Sequence, residues 1–126
     1  MVWVGKSLRR KEDDRLIRGN GFFCDDEHHA GMLHLYILRS PYAHARIRRL
    51  DASAAEALPG VVCVLTGEDI KAQCDPYMQL GPAPCDKIVD LPLAIDKVMY
   101  QGHPVAAIAA TSPAIAMDAG ALIEVD

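Results

Sequence analysis

The chain has 126 residues, 51% hydrophobic and 24% charged, with a formal net charge of −4. That length suits one domain with one core, and no apolar run reaches the roughly eighteen residues of a membrane span. The start, Met1-Val2-Trp3-Val4-Gly5-Lys6, lacks the long apolar stretch of a secretory signal, so a soluble cytoplasmic protein is expected.

Residues 1–30 read as an extended arm with a turn at Arg18-Gly19-Asn20-Gly21. The Gly-x-Gly there lacks a third glycine and a strand-then-helix context, which argues against dinucleotide binding. Residues 32–39 predict a strand ended by Pro41; the continuous apolarity of Leu35-Tyr36-Ile37-Leu38 predicts cover on both faces. Residues 44–50 alternate as a second strand. Asp51 is placed to cap a helix over Ala52–Leu58, which Pro59-Gly60 breaks. Val61-Val62-Cys63-Val64-Leu65 predicts a buried strand. Thr66 caps a helical turn over Gly67–Lys71, with Glu68 and Asp69 near its positive end. Residues 72–91, with Pro76, Pro82 and Pro84, predict a long loop of the kind that is functional or docked.

Residues 104–110 predict a buried strand. Ser112 and Pro113 open a helix whose apolar face is Ile115, Ala119, Leu122 and Ile123. Its end blends into a strand at Leu122–Val125, and the chain stops inside that strand, which predicts a truncated domain over 31–126. The element order describes an α+β (mixed α/β) domain.

Charge is uneven. Residues 1–49 hold ten Lys/Arg and six Asp/Glu, a balance of +4, and residues 50–126 hold three and eleven, a balance of −8. The basic residues alternate with acids in Arg9-Arg10-Lys11-Glu12-Asp13-Asp14-Arg15 and have no stacking aromatics among them. That pattern favours a solvated face or a protein contact over nucleic acid.

Cys24, Cys63, Cys74 and Cys85 form no C-x-x-C pair and predict reduced, packed thiols. Cys24-Asp25-Asp26-Glu27-His28-His29 offers metal-ligating side chains, but adjacent residues of an extended chain point apart. A solvated turn is expected there, with a metal site or small hydrolase on Asp25, Asp26, His28 and His29 as the remote alternative. His44 and His103 lie beside strands, and structural hydrogen bonding is expected of both. No G-x-S-x-G elbow or Walker loop occurs.

Several motifs carry a resemblance. They run in order from Val4-Gly5-Lys6-Ser7 and Arg10-Lys11-Glu12-Asp13, through Gly19-Asn20-Gly21-Phe22 and Gly31-Met32-Leu33, to Arg39-Ser40-Pro41-Tyr42-Ala43-His44-Ala45. Leu58-Pro59-Gly60-Val61, Leu65-Thr66-Gly67-Glu68-Asp69 and Tyr100-Gln101-Gly102-His103-Pro104-Val105-Ala106 follow. The chain resembles the N-terminal α/β hammerhead domain of the molybdenum hydroxylase large subunit, the family of xanthine dehydrogenase, aldehyde oxidase and carbon monoxide dehydrogenase. Two departures are local: Glu27-His28-His29 stands where the family is more apolar, and Gly120 stands where alanine is typical. Glycine there is expected to weaken the helix by up to about 1 kcal/mol.

The resemblance implies a mixed sheet with two or three short helices. It implies a whole enzyme with molybdopterin, [2Fe–2S] clusters and FAD. Its motifs for pterin binding and for the catalytic base have no matching positions here. No catalytic, cofactor-binding or metal residue is therefore carried over, and no cofactor is expected in this chain. The implied partners are the remaining large-subunit domains, an iron–sulfur subunit and a flavin subunit, with no nucleic acid and no membrane span. The basic arm residues Lys6, Arg9, Arg10, Arg15 and Arg18 are the expected subunit contact. The alternative is a free-standing adaptor domain of the same fold without enzyme activity.

Overall fold

The computed structural model describes residues 3–75 and 91–126. Most of the expected loop over 72–91, and Cys85, lie outside them. The chain divides into two compact units, one ending at Met32 and one running Leu33–Asp126.

The first unit is not wholly extended: Asp13–Ile17 forms a short helix, α1. Asp13 opens it by accepting the Arg10 backbone N–H at 3.0 Å and the Arg10 Nε–H at 2.8 Å. Gly19 ends it at φ +75°, where a side chain would be strained. The Gly19 N–H reaches the Leu16 carbonyl at 3.1 Å and the Asn20 N–H the Arg15 carbonyl at 2.9 Å. The expected turn is thus a helix C-terminus.

In the second unit the strands are β1 (His34–Arg39), β2 (Ala45–Arg46), β3 (Leu50–Asp51), β4 (Val61–Thr66), β5 (Lys97–Val98), β6 (Pro104–Ala110) and β7 (Glu124–Val125). The helices are α2 (Ser53–Glu56), α3 (Gly67–Gln73) and α4 (Pro113–Ala121). The mixed helix-and-sheet class and the three short helices are as expected. The expected mixed sheet resolves, among the described residues, into antiparallel pairs in the order β1-β6-β4, with β2-β5 and β3-β7 as separate ribbons.

Position in the sheet decides burial. Among the described strands only β6 is central, and its residues are buried almost throughout. The two edge strands are covered on one side only, so the double cover expected for β1 and the burial expected for β4 do not hold. Of β4 only Val64 is buried. Apolar runs look alike in sequence whether the strand is central or at an edge.

The core lies between this sheet and the helices. Ile108, Ala106, Val64, Ala55, Ala119 and Ile123 form it, with Tyr36 and Leu38 packed against it. The buried residues of α4 are Ala116, Ala119 and Gly120, while Leu122, expected inside, is exposed. The helix ends at Ala121, so Leu122 no longer follows the helical face. Ser112 accepts the Ile115 N–H at 3.3 Å, as its cap position predicts.

The expected strand over 44–50 is two short ribbons, because the segment changes partner. Ala45 and Arg46 pair with Val98 and Lys97, and Leu50 and Asp51 pair with Val125 and Glu124. Asp51 then accepts the Ser53 N–H at 3.1 Å and its hydroxyl at 2.6 Å, launching α2. These bonds and the neighbouring Arg49 guanidinium hold the Asp51 carboxyl down at about 2. Asp69 does the same at α3, accepting the Thr66 hydroxyl at 2.6 Å and N–H at 2.8 Å, which lowers its pKa.

Candidate functional site

Two motifs far apart in sequence meet where β1 and β6 end. The Ser40 N–H donates to the His103 carbonyl at 3.0 Å, and the Gly102 N–H donates to the Ser40 carbonyl at 2.8 Å. Arg39 Nη1 donates to the Gly102 carbonyl at 2.9 Å. Gly102 turns the chain at φ +87°. Ser40 and His103 are the buried polar residues among those described, 7% and 2% exposed. Ser40 Oγ donates to the Tyr42 carbonyl at 3.1 Å and accepts the Tyr42 N–H at 3.0 Å. Both bonds stay within its own turn, so the hydroxyl is not presented as a nucleophile.

His103 Nδ1 accepts the Met99 N–H at 3.1 Å, and its ring stacks on Tyr100 with centroids 4.4 Å apart and planes at 12°. An acceptor Nδ1 fixes the tautomer with the proton on Nε2. This is the structural bonding expected of His103. His44, by contrast, is exposed.

The residues from Cys24 to His29 are all exposed. Asp26 caps its own turn by accepting the Phe23 N–H at 2.9 Å, and His29 Nε2 meets Glu27 Oε1 at 2.9 Å. Asp25 and His28 take part in neither contact. Among the described residues no three His, Cys, Asp or Glu side chains converge as a metal site would require. Cys24, Cys63 and Cys74 are free thiols and are exposed rather than packed.

The arm's cations are partly neutralised at home. Arg10 pairs with Asp13 at 2.8 Å and Arg18 with Asp14 at 2.9 Å. Lys6, Arg9 and Arg15 remain exposed.

An apolar surface lies on the sheet face turned away from α4. Register puts Leu35 and Cys63 opposite Ala109, and Ile37 and Leu65 opposite Ala107, all on that side. Every one of these residues is apolar or a thiol. Leu35 is 67% exposed and Leu65 36%, with Val62, at the bulge in β4, 57%. A contiguous apolar face of this kind marks an interaction surface. The sequence does not reveal it, because an apolar run predicts a buried strand whether one face or both are covered.

Comparison with known proteins gives this geometry its context. A sequence profile described as aldehyde oxidase and xanthine dehydrogenase, a/b hammerhead domain, matches residues 18–126. The chain is 40% identical to the 6-hydroxypseudooxynicotine dehydrogenase complex subunit gamma of Paenarthrobacter nicotinovorans, over 99% of its own length and 16% of that subunit's. It is also 40% identical to the carbon monoxide dehydrogenase large chain of Afipia carboxidovorans, over 98% of its length and 15% of that chain's. A solved Cu,Mo-CO dehydrogenase superposes with a TM-score of 0.80 at 39% identity, covering 97% of this chain and 15% of that one. The chain therefore spans about a sixth of the length of these relatives.

Proposed function

The chain belongs to the aldehyde oxidase and xanthine dehydrogenase family, as an a/b hammerhead domain, and from that premise we propose that it is the N-terminal structural domain of a molybdopterin-dependent oxidoreductase large subunit. Its work in this reading is to scaffold the molybdenum domains. The observation that carries the reading is the apolar sheet face of Leu35, Ile37, Cys63 and Leu65, a surface suited to burial against the rest of a longer subunit. The relatives supply the context: each is several times longer and is described as a large chain or a complex subunit. The free-standing adaptor finds no support among them.

In the whole enzyme a molybdopterin group would supply the oxidising centre, with [2Fe–2S] clusters and FAD as electron carriers. The described residues do not fit that group. The cleft lined by Leu91, Ile95 and Met99 and the cleft lined by Arg46, Arg48 and Lys97 stand open to solvent, and no three His, Cys, Asp or Glu side chains converge among the described residues. No step of the reaction is assigned to this chain. Arg9, Arg15 and Lys6 of the arm are the proposed contact with the iron–sulfur subunit, and a flavin subunit completes the assembly. No described helix is long and apolar enough to cross a membrane; a cytoplasmic location belongs to the same proposal.

The test is purification from the source cells through a tag on this chain, with molybdenum and iron quantified. Both metals should co-purify with partner polypeptides. A clean monomer without either metal would overturn the reading.

A further inference from the structure

The β2-β5 ribbon carries an unusual pairing. Arg46 lies directly opposite Lys97 in antiparallel register, and both side chains are exposed. Like charges placed opposite each other on a sheet destabilise it. Arg48 lines the same open cleft beside them, with Asp96 and Ile47. The lining of that cleft thus holds three cations and one carboxylate, with Asp126 joined to Arg48 through the backbone. None of the three takes part in any of the ion pairs of the described residues, whereas Arg49, on the same segment, is held by Asp51. The backbone fixes the arrangement: the Ile47 N–H donates to the Asp96 carbonyl at 2.9 Å and the Arg48 N–H to the Asp126 carbonyl at 2.7 Å. Lys97 and Asp96 also border the adjoining cleft, whose walls include Leu91, Ile95 and Met99. The basic strip thus continues into an apolar one.

We infer that Arg46, Arg48 and Lys97 form a docking strip for an acidic segment of another subunit in the assembled enzyme. This rests on the reading of the chain as a subunit domain. Charge complementarity selects the occupant. Cations that have no ion-pair partner among the described residues call for carboxylates, and an open cleft with an apolar margin suits a polypeptide better than a small enclosed anion. Charges of this kind steer encounter and register, and they lose force as salt rises. A cross-strand repulsion kept in the free domain is relieved when carboxylates arrive. The strip lies in the second unit, separate in sequence from the basic arm.

The experiment uses the native complex. A carbodiimide, which joins an amine to a carboxylate with no spacer, is applied, and the Lys97 adduct is identified by mass spectrometry. The expected product links Lys97 to an Asp or Glu of a different polypeptide. R46E/R48E, made in the full-length subunit, should slow association with that polypeptide by about tenfold at low salt, and the gap should close in high salt. Charge reversal at the exposed Lys71 of α3 should not. A Lys97 link confined to this polypeptide, or unchanged association of R46E/R48E, overturns the docking strip. If the complex still contains molybdenum and iron in that case, the structural-domain reading stands and only the strip is lost. If it contains neither, that reading has failed.

Discussion

The ring of Tyr36 on β1 fills the space that a methyl group at Gly120 of α4 would need. A Cβ at Gly120 would lie 2.7 Å from Tyr36 Cδ1, inside any real carbon contact. Glycine lets the helix approach the sheet, with Ala116 and Ala119 beside it as the other small residues of that face. It is a packing requirement, where sequence alone suggested only a weakened helix.

Gly120→Ala is therefore expected to destabilise the chain by about 1–3 kcal/mol, the usual cost of overpacking, despite about 1 kcal/mol gained in helix propensity. Tyr36→Ala in the same chain removes the clash, so the two effects should be strongly non-additive in urea denaturation. A stabilising Gly120→Ala would show that propensity prevails and that the ring simply moves aside.

Gly67→Ala should fare worse. Its Cβ would meet backbone, lying 2.8 Å from the Ala94 carbonyl carbon, and backbone cannot rotate away as a side chain can. A larger loss than for Gly120→Ala is the expected result of thermal unfolding, and no single side-chain truncation should rescue it.

His103→Ala removes the acceptor of the Met99 N–H, a partly buried hydrogen bond, at a cost of about 0.5–1.5 kcal/mol. His103→Asn, whose side-chain oxygen can occupy the Nδ1 position, should recover part of it. Denaturant midpoints of the two variants check this. Equal losses would mean that stacking on Tyr100, rather than the hydrogen bond, is what matters.

Acid should weaken the helix starts. Hydrogen bonds from Ser53 and Thr66 hold the Asp51 and Asp69 carboxyls below the usual carboxylate range, Asp51 at about 2. Each is depressed by folding, so its contribution is complete above the unfolded value and fades as pH falls toward the folded one. Stability should decline from pH 4 toward pH 2, and Asp51→Asn with Asp69→Asn should flatten that decline. An unchanged slope in the double variant would rule the two caps out as its source.

Much of the fold was legible in the sequence, and the reasons differ by element. Ser112-Pro113 and Thr66 with Asp69 marked helix starts because capping is local chemistry. The expected strand at 104–110 is central and buried, in agreement with its apolar run. Leu35-Tyr36-Ile37-Leu38 and Val61–Leu65 carry the same signal but sit at edges, and strand order is set by distant pairing that no local window contains. The change of partner between Arg46 and Leu50 was hidden for the same reason. The meeting of Ser40 with His103 was implicit in two recognised motifs, yet only the β1-β6 register joins them. The α1 helix was missed because five residues carry too little periodicity.

The most direct measurement concerns Cys63. Its free thiol is exposed on the edge strand β4 of the apolar sheet face, whereas the exposed Cys24 belongs to the arm. Maleimide labelling of the purified chain and of the native assembly, read by mass spectrometry, asks whether that face is covered. If this chain is a scaffold domain, Cys63 labels readily in the free chain and is protected at least tenfold in an assembly that contains molybdenum and iron. Equal labelling of Cys63 in both states, with both metals present in the assembly, would contradict the account.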